Sequence, residues 1–426
     1  KEYNGYKVYG PNGGQMEPED ADVVTAAIAA VPSLASIAQM PLEEAEQKGL
    51  LHWLGQELDD RYFAKVRTVT IRPDVFAKVD EAFRVVYTPI HGSGSMPVQR
   101  ALREAGVPGV MVVHAQEKPD SDFSTVRVPN PEEPDALAMA IELAEQHGAD
   151  LCMGTDPDCD RMGLAVRRPG GPFELLTGNQ IGCLLLDYIL SAYKETGKLP
   201  ANGAVVKSIV STDMADAICK AYGVDIFGVL TGFKFIAGKI EEFEETGSHQ
   251  YLFGFEESFG YMAGPFVRDK DAVQACLLTA EAAAWYRLQG KTLLDVLDDL
   301  YARFGYYEEK VKTFTFAGRE GMEKIAGIMD DLRRQPPEQL SDMKVRALRD
   351  YETGIRLAAD GQETSLGLPP SNVLYFELEG GSRFVIRPSG TEPKIKLYFG
   401  TVDIDQRTAT ARLEALMDDV LHRYFQ

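Results

Sequence analysis

Three carboxylates occupy alternate positions in Asp156-Pro157-Asp158-Cys159-Asp160-Arg161. Such a loop can aim its oxygens at one hard cation, and like charges this close repel one another unless a cation lies between them. Mg²⁺ suits it, because Mg²⁺ takes few protein ligands and completes its shell with water or phosphate oxygens. An EF-hand is excluded, since Arg161 and Arg167 stand where its sixth-position Gly and twelfth-position Glu are required. Cys159 offers a thiol too soft for Mg²⁺ and is expected to face away. A solvated acidic turn is the alternative reading of the same residues.

Other loops carry further chemistry. Glu256-Glu257-Ser258, set among glycines and aromatic residues, offers carboxylate and hydroxyl acceptors suited to sugar hydroxyls; a capped turn is the plainer reading of these residues alone. Arg387-Pro388-Ser389-Gly390-Thr391-Glu392-Pro393 joins a guanidinium and two hydroxyls to a Gly-permitted backbone nest, the parts needed for phosphate. Lys394 and Lys396 add positive charge, and a Pro/Gly hairpin turn is the competing reading. Thr231, Gly232 and Lys234 follow an apolar strand and form a further candidate binding turn. His91-Gly92-Ser93-Gly94 imitates a dinucleotide-binding turn, but Pro97 replaces the third glycine. Gly290-Lys291-Thr292 imitates the end of a P-loop, yet Trp285 stands where its first glycine belongs.

These loops need elements to hold them. Apolar runs predict strands at Arg84–Ile90, Val110–His114, Leu151–Gly154, Ala204–Val210 and Ile226–Leu230, separated by helical stretches that close on Gly106, Gly148 and Gly223. Two βαβ units of nearly equal length imply repeated α/β domains with mostly parallel sheets. The acidic loop then lies at a strand's carboxyl end, where open α/β sheets bind ligands. Helices are expected at Asp20–Val31, Gly49–Ala64, Asp135–His147, Ala272–Arg287 and Leu293–Phe304. Beyond Gly305 the pattern turns to alternating strands (Lys310–Phe316, Asn372–Leu378, Arg383–Ile386, Lys394–Phe399) and a last helix with Leu413, Leu416, Met417, Val420, Leu421 and Tyr424 on one face. That is the pattern of a separate C-terminal α+β domain.

Composition narrows the field. The 426 residues carry 44 Lys+Arg against 65 Asp+Glu, a net charge of −21. Such a balance argues against nucleic acid and against an anionic membrane surface as partners, since both need excess cations. No apolar run approaches the ~18 residues of a membrane span. Five scattered cysteines without a CxxC pair fit a reducing cytoplasm better than a disulfide framework or a zinc site.

Taken together, the loops resemble the α-D-phosphohexomutase superfamily, which includes phosphoglucomutases and phosphomannomutases. Four anchors occur in the family's order: Tyr3-Asn4-Gly5-Tyr6-Lys7, the acidic loop at 156–161, Glu256-Glu257-Ser258, and the Arg387–Pro393 loop. The EESFG form is similar to glucose-type mutases, and YTPIHGSG at 87–94 with PNPEEP at 129–134 resembles the branch of bacterial phosphoglucomutases and phosphopentomutases. The resemblance implies four domains around a central cleft: a remnant of the serine-loop domain over 1–45, a metal-loop domain over 46–172, a sugar-loop domain over 173–305 and a phosphate-loop domain over 306–426.

The reaction implied is Mg²⁺-dependent intramolecular phosphotransfer, interconverting glucose 1-phosphate and glucose 6-phosphate through a phosphoserine and glucose 1,6-bisphosphate. By the same resemblance Asp156, Asp158 and Asp160 would ligate the metal, and Arg161 would lie near the phosphoserine. Glu256 and Ser258 would hold the sugar's hydroxyls, and Thr231, Gly232 and Lys234 are further candidate substrate-binding residues. Arg387, Ser389, Gly390 and Thr391 would grip the phosphate that is not transferred. Lys7 and Lys270 are candidates for acid–base work at the reacting hydroxyl. The family's Ser-His-Asn-Pro nucleophile loop precedes the segment that opens this sequence at Lys1, and Ser93 and Ser95 lack its context, so the isolated chain is expected to show no turnover. A monomer or homodimer is expected. Phosphomannomutase, phosphopentomutase or a non-catalytic sugar-phosphate-binding protein are the alternatives.

Overall fold

The computed structural model describes residues 7–16, 18–316, 318–389 and 393–425. In the first sheet, Arg84–Thr88 runs parallel between Gly109–Val112 and Leu151–Thr155, and Met162–Arg167 and Phe173–Leu175 add antiparallel on the far side. The second sheet repeats the pattern. Gly203–Ser208 lies parallel between Asp225–Val229 and Gln250–Glu256, and the short strand Gly260–Met262 returns antiparallel. In both, the strand next to the centre runs straight into a chemistry-bearing loop and comes back as a hairpin. The hairpin return, unlike the parallel strands, was not anticipated from the sequence.

Helix ends follow the local signals. Gly148 and Gly223 take left-handed conformations (φ 65° and 70°) that close Pro134–His147 and Met214–Tyr222. Thr177 and Thr292 start Gly178–Glu195 and Leu293–Phe304 with reciprocal capping boxes, so the Thr of the P-loop imitation is a helix cap. The predicted helix Gly49–Ala64 is corrected: helix begins only at Gln56, after Gly55, and runs to Val66. Upstream, Leu50, Trp53 and Leu54 are exposed, so no packing supports a helix there.

One apolar core underlies both α/β sheets, joining Val85 and Leu164 to Leu184, Phe253, Phe255 and Leu277. The C-terminal unit is an eight-stranded antiparallel sheet covered by Gly318–Arg334 and Gln406–Tyr424; Phe376, Phe384 and Phe399 pack there on Leu413, Leu416 and Val420. Its strands Met343–Asp350, Ile355–Ala358 and Glu363–Ser365 and the first of those helices were not foreseen. No helix among the described residues is long and apolar enough to cross a membrane.

Candidate functional site

The acidic loop joins Leu151–Thr155 to Met162–Arg167, so hairpin pairing on both sides fixes where its carboxylates stand. Oxygens of Asp156, Asp158 and Asp160 all lie within 4.8 Å of one another, the one such acidic group among the described residues able to hold a metal ion. Asp156 Oδ1 accepts from the backbone N–H groups of Asp160 (3.0 Å) and Arg161 (2.9 Å), which locks the loop from inside. Cys159 bends the chain at φ 59°, and its thiol lies against Gly94. Gly92 explains the glycine-rich imitation: a Cβ there would stand 2.5 Å from Pro157 Cα, and Ser93 N–H donates to Pro157 O at 2.8 Å. That turn is a buttress for the acidic loop.

Cations converge on the triad. Lys7 Nζ bonds Asp158 at 2.9 Å and also reaches Asp160; Lys270 Nζ stands 3.1 Å from Asp160 and 3.0 Å from Asp269. Burial alone would push Asp160 up, but Lys270 and Lys7 hold it below the usual carboxylate range. Among the described residues Asp156 has only Arg161, 3.8 Å away, as a cationic neighbour, and burial followed by the charge of Asp160 pushes it up. A dication would reverse that shift, and three hard oxygens suit Mg²⁺. Both lysines stay protonated against the cost of burial, because the carboxylates hold them so. Arg161 Nη1 bonds Glu132 at 2.9 Å, with Nε 3.8 Å from Asp156 and from Asp160.

The second loop meets the first along its backbone. Arg161 and Gly260 form a β-bridge, and Met162 N–H donates to Phe259 O at 3.0 Å. Glu256 is buried and accepts from Gly232 N–H at 2.7 Å, which ties the Glu256–Ser258 loop to the Thr231-Gly232 turn at the start of helix Phe233–Thr246. Lys234 Nζ lies over the Phe235 ring, 5.2 Å from its centre. Glu257 is held through Ser208 Oγ (3.0 Å) and Ser211 Oγ (3.1 Å). Ser258 lines a cavity of about 310 Å³ together with Glu132, Lys396 and Tyr398. A larger cavity of about 1140 Å³ opens beside Asp158 and Lys270.

Burial, then the charge of Glu257, pushes Glu256 from 4.5 up to about 7. A raised acid favours folding while it is protonated, below its unfolded value. That contribution is lost as pH rises from 4.5 to about 7, on the order of 3 kcal/mol in all. Glu256→Gln is therefore expected to stabilise the chain at pH 8 by about 2.5 kcal/mol more than at pH 5, read by denaturant unfolding. An equal effect at both pH values would show that the carboxyl ionises normally.

In the C-terminal sheet, Arg387 sits across from Lys396 on the neighbouring strand, and Ser389 N–H donates to Lys394 O at 2.7 Å. Gly390 and Thr391 lie outside the described residues, as do Tyr3 to Tyr6 of the first anchor. Sequence reasoning assigned no role to Glu132, Ser208, Ser211 or Tyr398. Glu132 belongs to the PNPEEP stretch, which was visible without a function; the others gave no local signal.

The sequence matches family models of the phosphoglucomutase/phosphomannomutase α/β/α domain II over residues 60–171, domain III over 177–304 and the C-terminal domain over 332–418. A phosphoglucomutase of Staphylococcus epidermidis is 38% identical over 400 residues, covering 93% of this chain and 71% of that protein. One from Staphylococcus aureus is 37% identical over 400 residues, covering 93% and 70%. The solved structure of parafusin from Paramecium, a phosphoglucomutase in its open form, superposes with a TM-score of 0.60 at 17% identity, over 86% of this chain and 63% of that one. By sequence kinship across almost its whole length, and by the order in which it presents its loops, the chain belongs to the phosphoglucomutase/phosphomannomutase family.

Proposed function

We propose that the chain forms the metal- and sugar-phosphate-binding body of a phosphoglucomutase-type phosphohexomutase. The observation that carries this is the convergence of Lys7, Lys270 and Arg161 on the triad of Asp156, Asp158 and Asp160, in a chain 37–38% identical to phosphoglucomutases. The triad would hold Mg²⁺, whose charge offsets that of a phosphoryl group in transfer. Arg161, held by Glu132, would face that phosphoryl group. Glu256 and Ser258 would accept the sugar's hydroxyls beside Thr231, Gly232 and Lys234, and the Arg387–Thr391 loop would hold the distal phosphate. Lys7 and Lys270 would act as proton donors at the reacting hydroxyl. Glucose 1-phosphate, glucose 6-phosphate and glucose 1,6-bisphosphate are the ligands of this reading. We place domain limits at 46–172, 173–305 and 306–426, with 1–45 belonging to a first domain. Five cysteines, all unpaired, support a reducing cytoplasm as its location.

Titration calorimetry of the 426-residue chain with glucose 1,6-bisphosphate and Mg²⁺ tests the reading. Saturable binding tighter than that of ribose 5-phosphate is expected, and absence of binding to any hexose phosphate would overturn it. The metal assignment has its own test. Asp158→Asn should weaken Mg²⁺ at least tenfold, because it removes one of three charged ligands; unchanged affinity would reduce Asp158 to a surface ion-pair partner of Lys7.

A further inference from the structure

Arg383 is a fully buried guanidinium on the strand Arg383–Pro388, and it crosses from the C-terminal sheet into the second α/β unit. Its Nη1 donates to Ser211 O at 2.6 Å and lies 3.4 Å from Asp213; its Nη2 donates to Val210 O at 3.1 Å and to Glu309 at 2.6 Å. The acceptors are held in turn. Asp213 also takes Lys207 Nζ at 3.0 Å and Tyr375 Oη at 3.1 Å, while Glu309 takes Asn179 at 2.6 Å. On the facing strand Gly400 leaves room for the arginine: a Cβ there would stand 3.0 Å from Arg383 Nε.

Two connections run from this clamp to the site. Residues four apart on a strand share a face, so Arg383 and Arg387 point the same way, with Val385 between them packed against Ile209 and Val210. At the other end, Ser211, whose carbonyl Arg383 holds, receives the backbone N–H of Glu257 on its hydroxyl. One side chain thus joins the strand bearing the phosphate arginine to the loop bearing the sugar acceptors. Bonds from a buried charge to four fixed acceptors resist displacement, because any shift strands Glu309 without its ion-pair partner, while Asp213 keeps Lys207.

We propose that Arg383 is a positioning residue, which sets the span between Arg387 and the Glu256–Ser258 loop and so matches the site to a ligand carrying sugar hydroxyls and phosphate together. This rests on the proposed function above. In the 426-residue chain, Arg383→Met should weaken glucose 1,6-bisphosphate at least tenfold in calorimetry with the binding stoichiometry unchanged. Because Arg383 sets a span that counts in full only while Arg387 holds its far end, the double variant with Arg387→Ala should lose clearly less affinity than the two single losses combined. Wild-type affinity in Arg383→Met, or losses that add in full, would overturn the proposal. Should Arg383→Met fail to fold, Arg383→Met with Glu309→Gln, which removes the orphaned charge, carries the same test. If the wild-type chain binds no sugar phosphate, the proposed function falls, and the clamp is judged by hydrogen exchange. The Thr212 and Glu257 amides should then exchange at least tenfold faster in the variant, and unchanged rates would sink it.

Discussion

Replacing Arg387 with alanine is expected to weaken glucose 6-phosphate binding about a hundredfold. Arg387 stands near the end of a strand whose residues 383–386 pair on both sides, so on the proposed function its guanidinium would meet the phosphate already oriented. A bidentate arginine–phosphate contact makes two charge-assisted bonds, each worth ~1.5–3 kcal/mol, and losing both would cost a factor of ~100 or more. Lys396 across the ladder still attracts the anion as a point charge, which keeps the loss at the low end. Arg387→Lys should therefore recover only part of the affinity. Arg356, engaged with Glu377 on another strand of the same sheet, serves as the control, and its alanine variant should bind normally. Calorimetry giving Arg387→Ala within threefold of wild type would remove Arg387 from the site.

How far the sequence could carry this reading depends on whether a signal is local. The acidic loop was legible because three like charges at alternate positions are costly without a cation, and that cost is written in six consecutive residues. The helices Ala272–Arg287 and Leu293–Phe304 were legible to the residue, since the cap lies in the same segment as an apolar run in the first and an apolar face in the second. Glu132 and Arg161 sit 29 positions apart, and Arg383 and Ser211 172 apart; nothing near either residue announces such a partner. The strand Met343–Asp350 was missed for a related reason. It pairs with strands on both sides, so its burial pattern is set by neighbours from elsewhere in the chain rather than by simple alternation. Gly92 shows the converse ambiguity: a glycine demanded by close approach of backbone looks the same in sequence as one demanded by a nucleotide, and only Pro97 told the two apart.

Gly178 gives the sharpest test of that last point, through a substitution expected to have opposite signs at two helical sites. Gly→Ala in a helix interior ordinarily stabilises by about 0.5–1 kcal/mol, since alanine loses less backbone entropy. Gly327, in helix Gly318–Arg334, has open space around the position of a Cβ, so Gly327→Ala should show that gain. Gly178 is the first residue of its helix, and a Cβ there would lie 2.0 Å from Glu257 O and 2.9 Å from Phe259 N. Both atoms are backbone, and neither can rotate away. The Glu257–Phe259 backbone is held by Ser211 on one side and by Met162 on the other, so relief must come from pushing the Glu256–Ser258 loop out of place. Overpacking of this kind costs ~1–3 kcal/mol or more, which exceeds the propensity gain. Gly178→Ala is thus expected to destabilise the chain by about 2 kcal/mol in denaturant unfolding and to weaken hexose phosphate binding more than tenfold, while Mg²⁺ affinity at the acidic triad stays near wild type. A Gly178→Ala chain as stable as Gly327→Ala, with normal sugar binding, would show that the loop has slack and that the glycine is there for some other reason.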